Sequence, residues 1–348
     1  MRVVAITLFF LLSAVCTLPA QGQSTLTEKQ KAVVIFDVRM DMIMKSELAK
    51  ELDFANNLQQ MAGPGAGADP SKVDRVFGAM SAPESLEQLQ AMQNGSEIKF
   101  EFFSRMKYKD AASAKADFES NLNDDFEKIE RDGKTYFKSP GTIAVPKGMV
   151  MHMVDETTIE MATEAYAFHP DRKVFTDNLT ASWKQAPNDA IRIAADLAGA
   201  KEFVAELVKE AKDNAPDPTV GEYLGLIDNI KDLRLSLDFS NKNLLTLNAN
   251  GVDQENADEL KGGLDSLFFL AKAAGKPGLK QMQESAPELA KVGNAVLDSL
   301  EAKTAGTNVG VSIPQPEGFV EAIKKASGMM MMGMGGGPPG VRPPGDGF

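Results

Sequence analysis

Strict alternation of apolar and polar residues marks the clearest strands of the chain. In residues 98–108 every second side chain is apolar and the intervening ones are mostly charged, and residues 233–239 repeat this pattern. Period two with one wet face is typical of an antiparallel strand that is covered on one side only. A polar loop follows Phe239 and leads to a second alternating run at residues 245–249. The two runs therefore predict a hairpin.

Two further hairpins are indicated by turn residues. Asp132-Gly133 separates two short alternating runs, and glycine tolerates the positive φ that a tight turn needs. A third hairpin is predicted from residues 149–154, through Asp155-Glu156, to residues 158–163.

Helices are predicted where apolar residues recur at spacings of three and four. Ser285 with Glu288 forms a capping-box pattern and predicts that a helix starts there and runs to about Leu300. A late strand near residues 308–313 and a short last helix around Phe319 complete the pattern. Two apolar stripes are the strongest signals: Phe203, Val204, Leu207, Val208 and Ala211, and Leu264, Leu267, Phe268 and Ala271.

A weak internal repeat organises these elements, with the second copy about 150 residues after the first. It predicts an α+β fold built from a duplicated strand-helix-strand-helix unit, with antiparallel sheets and helices packed on one face. The repeats are assigned to residues 23–185 and 186–327, and either two lobes or one shared sheet satisfies the pattern. The matched positions are Phe36, Val38, Asp41, Met42, Leu48 and Leu52 with Ile191, Ile193, Asp196, Leu197, Phe203 and Leu207.

Residues 1–22 have the composition of a signal peptide. Arg2 precedes an apolar stretch that is shorter than the roughly 20 residues of a membrane span, and Ala20-Gln21-Gly22 is a small-x-small cleavage pattern. We expect cleavage after Gly22 and a periplasmic or extracellular protein without a transmembrane span. Lipidation at Cys16 is the less favoured alternative, because Val15 fits a lipid-attachment box poorly.

Residues 328–348 consist mainly of Met, Gly and Pro. No periodic apolar face is possible in this composition, so we expect a disordered tail. Its methionines are the weak candidates for a metal site, since thioether sulfur suits Cu(I). Partner contact through flexible side chains, or no ligand at all, are the alternatives. The five candidates are Met329, Met330, Met331, Met332 and Met334.

Composition and motifs exclude several function classes. The net charge is −12 and no basic stripe occurs along the sequence, so nucleic acid is not an expected partner. His152 lies in an apolar strand and His169 in a loop, and no zinc, serine-hydrolase, phosphate-loop or dinucleotide motif is present. The carboxylate pairs Asp124-Asp125 and Asp155-Glu156 fall in predicted turns. We therefore expect no catalytic residues, no cofactor and no enzymatic activity.

The duplicated exported core, the stretch DPSKVDRVFGAMSAP at residues 69–83 and the Met-Gly-Pro tail resemble a group of uncharacterised exported proteins of planctomycete-type bacteria. The resemblance implies a location in the bacterial envelope and supplies no active residues. A looser similarity is to periplasmic lipoprotein-carrier folds, in which a curved sheet backed by helices cradles an acyl chain.

The expected function is non-enzymatic binding or scaffolding in the cell envelope, and the candidate partners are envelope proteins or an apolar ligand. A carrier of an apolar small molecule or lipid is the first alternative, and an enzyme of unrecognised type is the second. A lipid that co-purifies with the protein would favour the carrier, a deep pocket with convergent carboxylates would favour the enzyme, and wide flat faces without a pocket would favour binding or scaffolding.

Overall fold

The structure is a computed structural model that describes residues 26–51, 53–54, 69–85, 87–88, 99–141, 145, 147–168, 174–213, 224–239 and 243–326. The predicted signal peptide, His169 and the methionine-rich tail lie outside these residues. Twelve strands occur within them: Ala32–Val38 (β1), Val73–Ser81 (β2), Phe102–Tyr108 (β3), Glu127–Arg131 (β4), Lys134–Lys138 (β5), Val150–Asp155 (β6), Thr158–Ala162 (β7), Ile191–Asp196 (β8), Ile230–Leu237 (β9), Asn243–Gly251 (β10), Ala302–Ala305 (β11) and Asn308–Pro314 (β12).

Helices connect and cover these strands, and the longest of them follows β10. Asp253 caps that helix by accepting a hydrogen bond from the backbone N–H of Asn256. In the described part of the chain the helices are Met40–Lys45 (α1), Glu47–Glu51 (α2), Ala111–Asn121 (α3), Glu164–Ala167 (α4), Asp177–Gln185 (α5), Lys201–Asp213 (α6), Gln254–Ser285 (α7), Pro287–Ser299 (α8) and residues 319–326 (α9).

All twelve strands join one sheet, in the order β11-β12-β10-β9-β8-β1-β2-β3-β7-β6-β5-β4, and every neighbouring pair is antiparallel. The prediction of an α+β fold is confirmed, and strands from both predicted repeats belong to this one sheet. Counted outward from the central β1–β8 pair, β2 and β3 on one side correspond in order to β9 and β10 on the other. The repeat boundaries at residues 185 and 327 remain predictions.

The sheet has two different faces. On the helix-rich face, Phe36, Phe102 and Ile191 pack with α1, α2 and α3, while Ala249 and Val309 pack under α7. We call the opposite side, which carries Asp37 and Arg192, the polar face. The short helices α4 and α5 cover part of it through Tyr166 and Leu179, which pack on Ile35 and Phe103. The expected packing on one face thus describes the long helices, while two short ones lie on the other side.

Two local expectations need correction. Ser285 ends α7 rather than starting a helix, and α8 begins at Pro287, whose fixed φ suits the first turn. Strand β3 begins at Phe102, and Ile98 lies outside the described residues. The hairpin at Asp132-Gly133 is confirmed, with φ of 51° and 72° at these two residues.

Candidate functional site

A single line of side chains crosses the polar face over nine neighbouring strands, from β6 to β12. Strand register places these residues directly opposite one another on adjacent strands, and because side chains alternate they all project from the same side. The line runs through residues of nine strands: His152, Glu160, Arg105, Phe77, Asp37, Arg192, Ser236, Thr246 and Ser312.

Asp37 is the centre of this line. Its side chain is fully buried, and it accepts hydrogen bonds from Arg75 Nε to Oδ1 at 2.6 Å and from Arg75 Nη2 to Oδ2 at 2.9 Å. Arg192 Nε donates a further bond to Oδ2 at 2.9 Å. Two guanidinium groups therefore share one carboxylate, which leaves an excess positive charge at the middle of the sheet.

Aromatic rings lie beneath each of these arginines. The Arg192 guanidinium lies 4.1 Å from the centroid of the Trp183 ring, and Arg75 lies 5.6 Å from that of Phe77. Arg105 lies 5.5 Å from the centroid of the Phe103 ring. These cation–π contacts fix the planes of the guanidinium groups, and an ordered guanidinium loses less entropy when it binds a ligand.

We call Arg75, Arg105, Lys107 and Arg192 the basic patch. The side chains of Arg75 and Arg105 are 42% and 31% exposed, and Lys107 is exposed. These four basic side chains surround two carboxylates, those of Asp37 and Glu160. A local positive excess is notable in a chain of net charge −12, because it is the reverse of the overall charge.

A buried ionisable cluster adjoins the patch. Arg105 Nε donates to Glu160 Oε2, and Glu160 Oε1 lies 3.7 Å from His152 Nε2. Burial raises the pKa of Glu160. Burial, together with the positive charges of Lys134 and Arg105, lowers the pKa of His152 from 6.5 to about 4. His152 is therefore neutral at physiological pH. The Tyr136 ring packs 4.5 Å from the His152 ring, centroid to centroid.

His152 agrees with its expected place on the second face of a strand, and it is 1% exposed. Within the described residues, neither of its ring nitrogens has a hydrogen-bond partner. The turn carboxylates Asp124, Asp125, Asp155 and Glu156 are exposed, as expected for solvated turns.

The basic patch escaped sequence analysis because its members are far apart along the chain. Arg75 and Arg192 belong to different predicted repeats. Arg105 and Lys107 fit the pattern of a solvent-exposed strand face, which by itself does not indicate a binding site. The signal that was available is the position of Asp37, a lone carboxylate within the apolar run of β1. An aspartate in such a strand needs a cationic partner on a neighbouring strand.

A second feature is an open cleft of about 800 Å³ between α2 and the segment around α9. Four carboxylates and two ammonium groups line it, around a smaller apolar area: Glu47, Glu51, Glu317 and Glu321, with Lys50 and Lys324. Lys324 pairs with Glu51 across it. The lining is thus of mixed charge.

Among the residues that the structure describes, no group of three or more His, Cys, Asp or Glu side chains lies close enough together to bind a metal ion. None of the helices in this part of the chain combines the length and apolar character that crossing a membrane requires.

Comparisons with known proteins give weak structural matches only. No protein-family model matches the chain, and no curated protein gives a significant match. Crystal form IV of TP0453 matches with a TM-score of 0.39 and 10% identity, covering 84% of this chain and 93% of that one. Crystal form III gives 0.38 and 10%, covering 88% and 100%, and crystal form I gives 0.34 and 11%, covering 86% and 94%. Similarity this low supports no conclusion about function.

Proposed function

We propose that this chain is an exported, non-enzymatic binding protein of the bacterial envelope, and that the basic patch binds an anionic ligand that carries carboxylate or phosphate groups. The observation that carries the proposal is the sharing of Asp37 by Arg75 and Arg192. One carboxylate compensates only one of the two cations, so an anion at the patch completes the balance of charge.

The exposed edges of the patch give the anion a point of entry. Arg75 and Arg105 are partly exposed while their aromatic supports keep them in place, and Lys107 adds a third accessible cation. Arginine matches the planar geometry of carboxylate and phosphate oxygens, whereas lysine acts as a point charge. The patch therefore fits a ligand with at least two acidic oxygens.

The cleft gives no support to the carrier alternative. An acyl chain needs an enclosed apolar surface, and six ionisable side chains line this open cleft. The enzyme alternative needs carboxylates that converge without cationic partners, and here Glu51 is paired with Lys324. The binding proposal is the one that the described side chains favour.

The test uses citrate and inorganic phosphate as probes in calorimetric titrations of the mature protein at low salt. We expect saturable binding of at least one probe that weakens as salt is added, because exposed charges are screened. Arg75→Gln combined with Arg105→Gln should weaken binding at least about tenfold, the equivalent of about 1.4 kcal/mol. Lys115→Gln removes an exposed charge from α3 on the other side of the sheet and should change nothing.

Two results would overturn this function. One is the absence of saturable binding of both probes, and the other is equal loss of affinity in the Lys115→Gln control. The export part of the proposal is tested separately by sequencing the mature N-terminus. We expect it to begin near Gln23. A diacylated Cys16 at the N-terminus would show instead that a lipid anchors the protein to a membrane.

A further inference from the structure

A second surface on the polar face carries amides rather than charges. Strands β10 and β12 leave the cover of α5 and present three half-exposed asparagines, which we call the amide floor: Asn248, Asn250 and Asn308. Asparagine is depleted in strands because its side chain competes for backbone hydrogen bonds. Three of them on one face of two neighbouring strands therefore need a reason other than strand stability.

Buried charges hold the centre of this floor rigid. Asn250 Nδ2 donates to both oxygens of Asp232, at 3.0 and 3.1 Å, and Asn250 Oδ1 accepts from Arg234 Nη2 at 3.2 Å. Asp232 and Arg234 are 3% and 5% exposed. Helix α5 closes the network from one side, since Ser182 donates to Asp232 and Gln185 accepts from Arg234.

The remaining amide groups converge over a glycine. Asn308 donates from Nδ2 to Asn250 Oδ1 at 2.9 Å, which leaves Asn308 Oδ1 without a partner in the described part of the chain. A methyl group built at Gly310 would lie 3.0 Å from Asn248 Oδ1 and 3.9 Å from Asn308 Oδ1. Both amide oxygens thus lie on the side of the strand where Gly310 lacks a Cβ, with the Asn248 oxygen closest to it.

This network also contains unsatisfied buried donors. Arg234 Nε and Ser236 Oγ have no hydrogen-bond partner among the described residues, although both side chains are almost completely buried. Buried polar groups are normally paired, so these two atoms need an explanation other than stability, although both lie too deep to contact a ligand directly.

We propose that the amide floor binds a neutral, hydroxyl-rich ligand, that is, a saccharide. Amide groups both donate and accept, and a sugar presents adjacent hydroxyl groups that do the same. The exposed amides carry no net charge, and the nearest ions, Asp232 and Arg234, compensate each other. An anion should therefore bind more tightly to the basic patch than to this uncharged surface. Because Gly310 has no side chain, no Cβ lies between the Asn248 and Asn308 oxygens, and a sugar hydroxyl group is able to donate to either of them.

The experiment titrates the full mature protein with maltohexaose, cellohexaose and chitohexaose, using calorimetry and the intrinsic fluorescence of Trp183. We expect at least one of them to bind. Gly310→Ala places a methyl group against the Asn248 acceptor, and Asn248→Ala removes one acceptor without breaking a hydrogen bond of the network. Each should weaken binding about tenfold or more. Asn256→Ala, on α7 and away from the polar face, is the matched control and should bind like the parent protein.

Thermal unfolding of each variant shows whether it is folded, and Asn248→Ala remains informative should Gly310→Ala fail to fold. Absence of binding of all three saccharides by the parent protein would overturn the proposal, as would unchanged affinity in folded Asn248→Ala. Arg75→Gln with Arg105→Gln should leave saccharide binding intact. This result would show that saccharides bind at the amide floor and not at the basic patch. Each proposal is therefore able to fail without the other.

Discussion

Asp37 and Arg192 lie directly opposite each other on the two central strands, although 155 residues separate them in the sequence, and Arg192 Nε donates a 2.9 Å hydrogen bond to Asp37 Oδ2. The two residues occupy matching positions in the alignment of the predicted repeats. They nevertheless carry opposite charges. The junction between the repeats is therefore ionic on one face and apolar on the other.

Removal of the central carboxylate should destabilise the protein strongly. Asp37→Asn leaves Arg75 and Arg192 without their shared anion, and breaking a buried ion pair in this way costs about 3–5 kcal/mol. Chemical denaturation measures the free energy of unfolding. Asp124→Asn, in an exposed turn, is the control and should stay within about 0.5 kcal/mol of the parent. Equal stabilities of the two variants would show that the charge cluster contributes nothing.

The acid side of the stability profile should depend on His152. Because its pKa falls from 6.5 in the unfolded chain to about 4 in the folded protein, the unfolded state binds the proton more tightly. Stability is complete above pH 6.5 and is lost as pH falls toward 4, by at most about 3 kcal/mol. Glu160 acts in the opposite direction, since its raised pKa favours the folded state on protonation.

His152→Leu removes the titrating ring and the two unpaired nitrogens while it keeps an apolar side chain in place. The difference in unfolding free energy between this variant and the parent should grow between pH 6.5 and pH 4, in favour of the variant. Denaturant midpoints measured across this range provide the check. A constant difference would mean that His152 is not responsible for the acid sensitivity.

Alanine substitutions at two glycines test the packing around each position, one in the sheet and one on a helix. A Cβ at Gly78 on β2 would lie 2.4 Å from Phe36 Cζ and 2.6 Å from the carbonyl oxygen of Phe103. Gly78→Ala should therefore cost about 1–3 kcal/mol, the usual range for an overpacked core. Gly262→Ala on α7 meets no atom within 4 Å and should instead stabilise by about 1 kcal/mol. Thermal midpoints that move in the same direction would contradict this.

The orientation of α7 predicts opposite outcomes at two of its apolar residues. Leu260 is 3% exposed and packs on the second-repeat strands, so Leu260→Ala should cost about 2–5 kcal/mol. Phe269 is 71% exposed, and Phe269→Ala should leave the unfolding midpoint nearly unchanged. A larger loss at Phe269 than at Leu260 would mean that the other side of α7 faces the sheet.

Local patterns predicted the elements of this fold where the determinants lie close together in the sequence. The turn at Asp132-Gly133 and the alternation in β3 and β9 depend on residues within a few positions of each other. The predicted β4–β5 and β9–β10 hairpins both occur. Ser285 misled because it reads equally well as a helix start and as the end of the preceding helix. The chain resolves this choice by placing Pro287 at the first turn of α8.

The exposure of β9 could not be predicted from alternation alone. Leu233 and Leu235 are half-buried, whereas Arg234 and Ser236 on the expected wet face are almost completely buried. The reason is α5, which covers this face and provides Ser182 and Gln185 as hydrogen-bonding partners. Period two shows that a strand has two different faces, but the tertiary structure decides which face is covered.

Pairing of β1 with β8 satisfies the backbone hydrogen-bonding groups at the inner edge of each half of the sheet. Separated, a chain ending near residue 185 would expose the free N–H and C=O groups of β1, and one starting near residue 186 would expose those of β8. Unpaired strands of this kind add strands from other molecules. Two copies of either half would meet at their central strands with matching apolar positions, but with Asp37 facing Asp37 or Arg192 facing Arg192. The opposite charges at this seam thus favour the joined chain, or a pairing of unlike halves, over self-association.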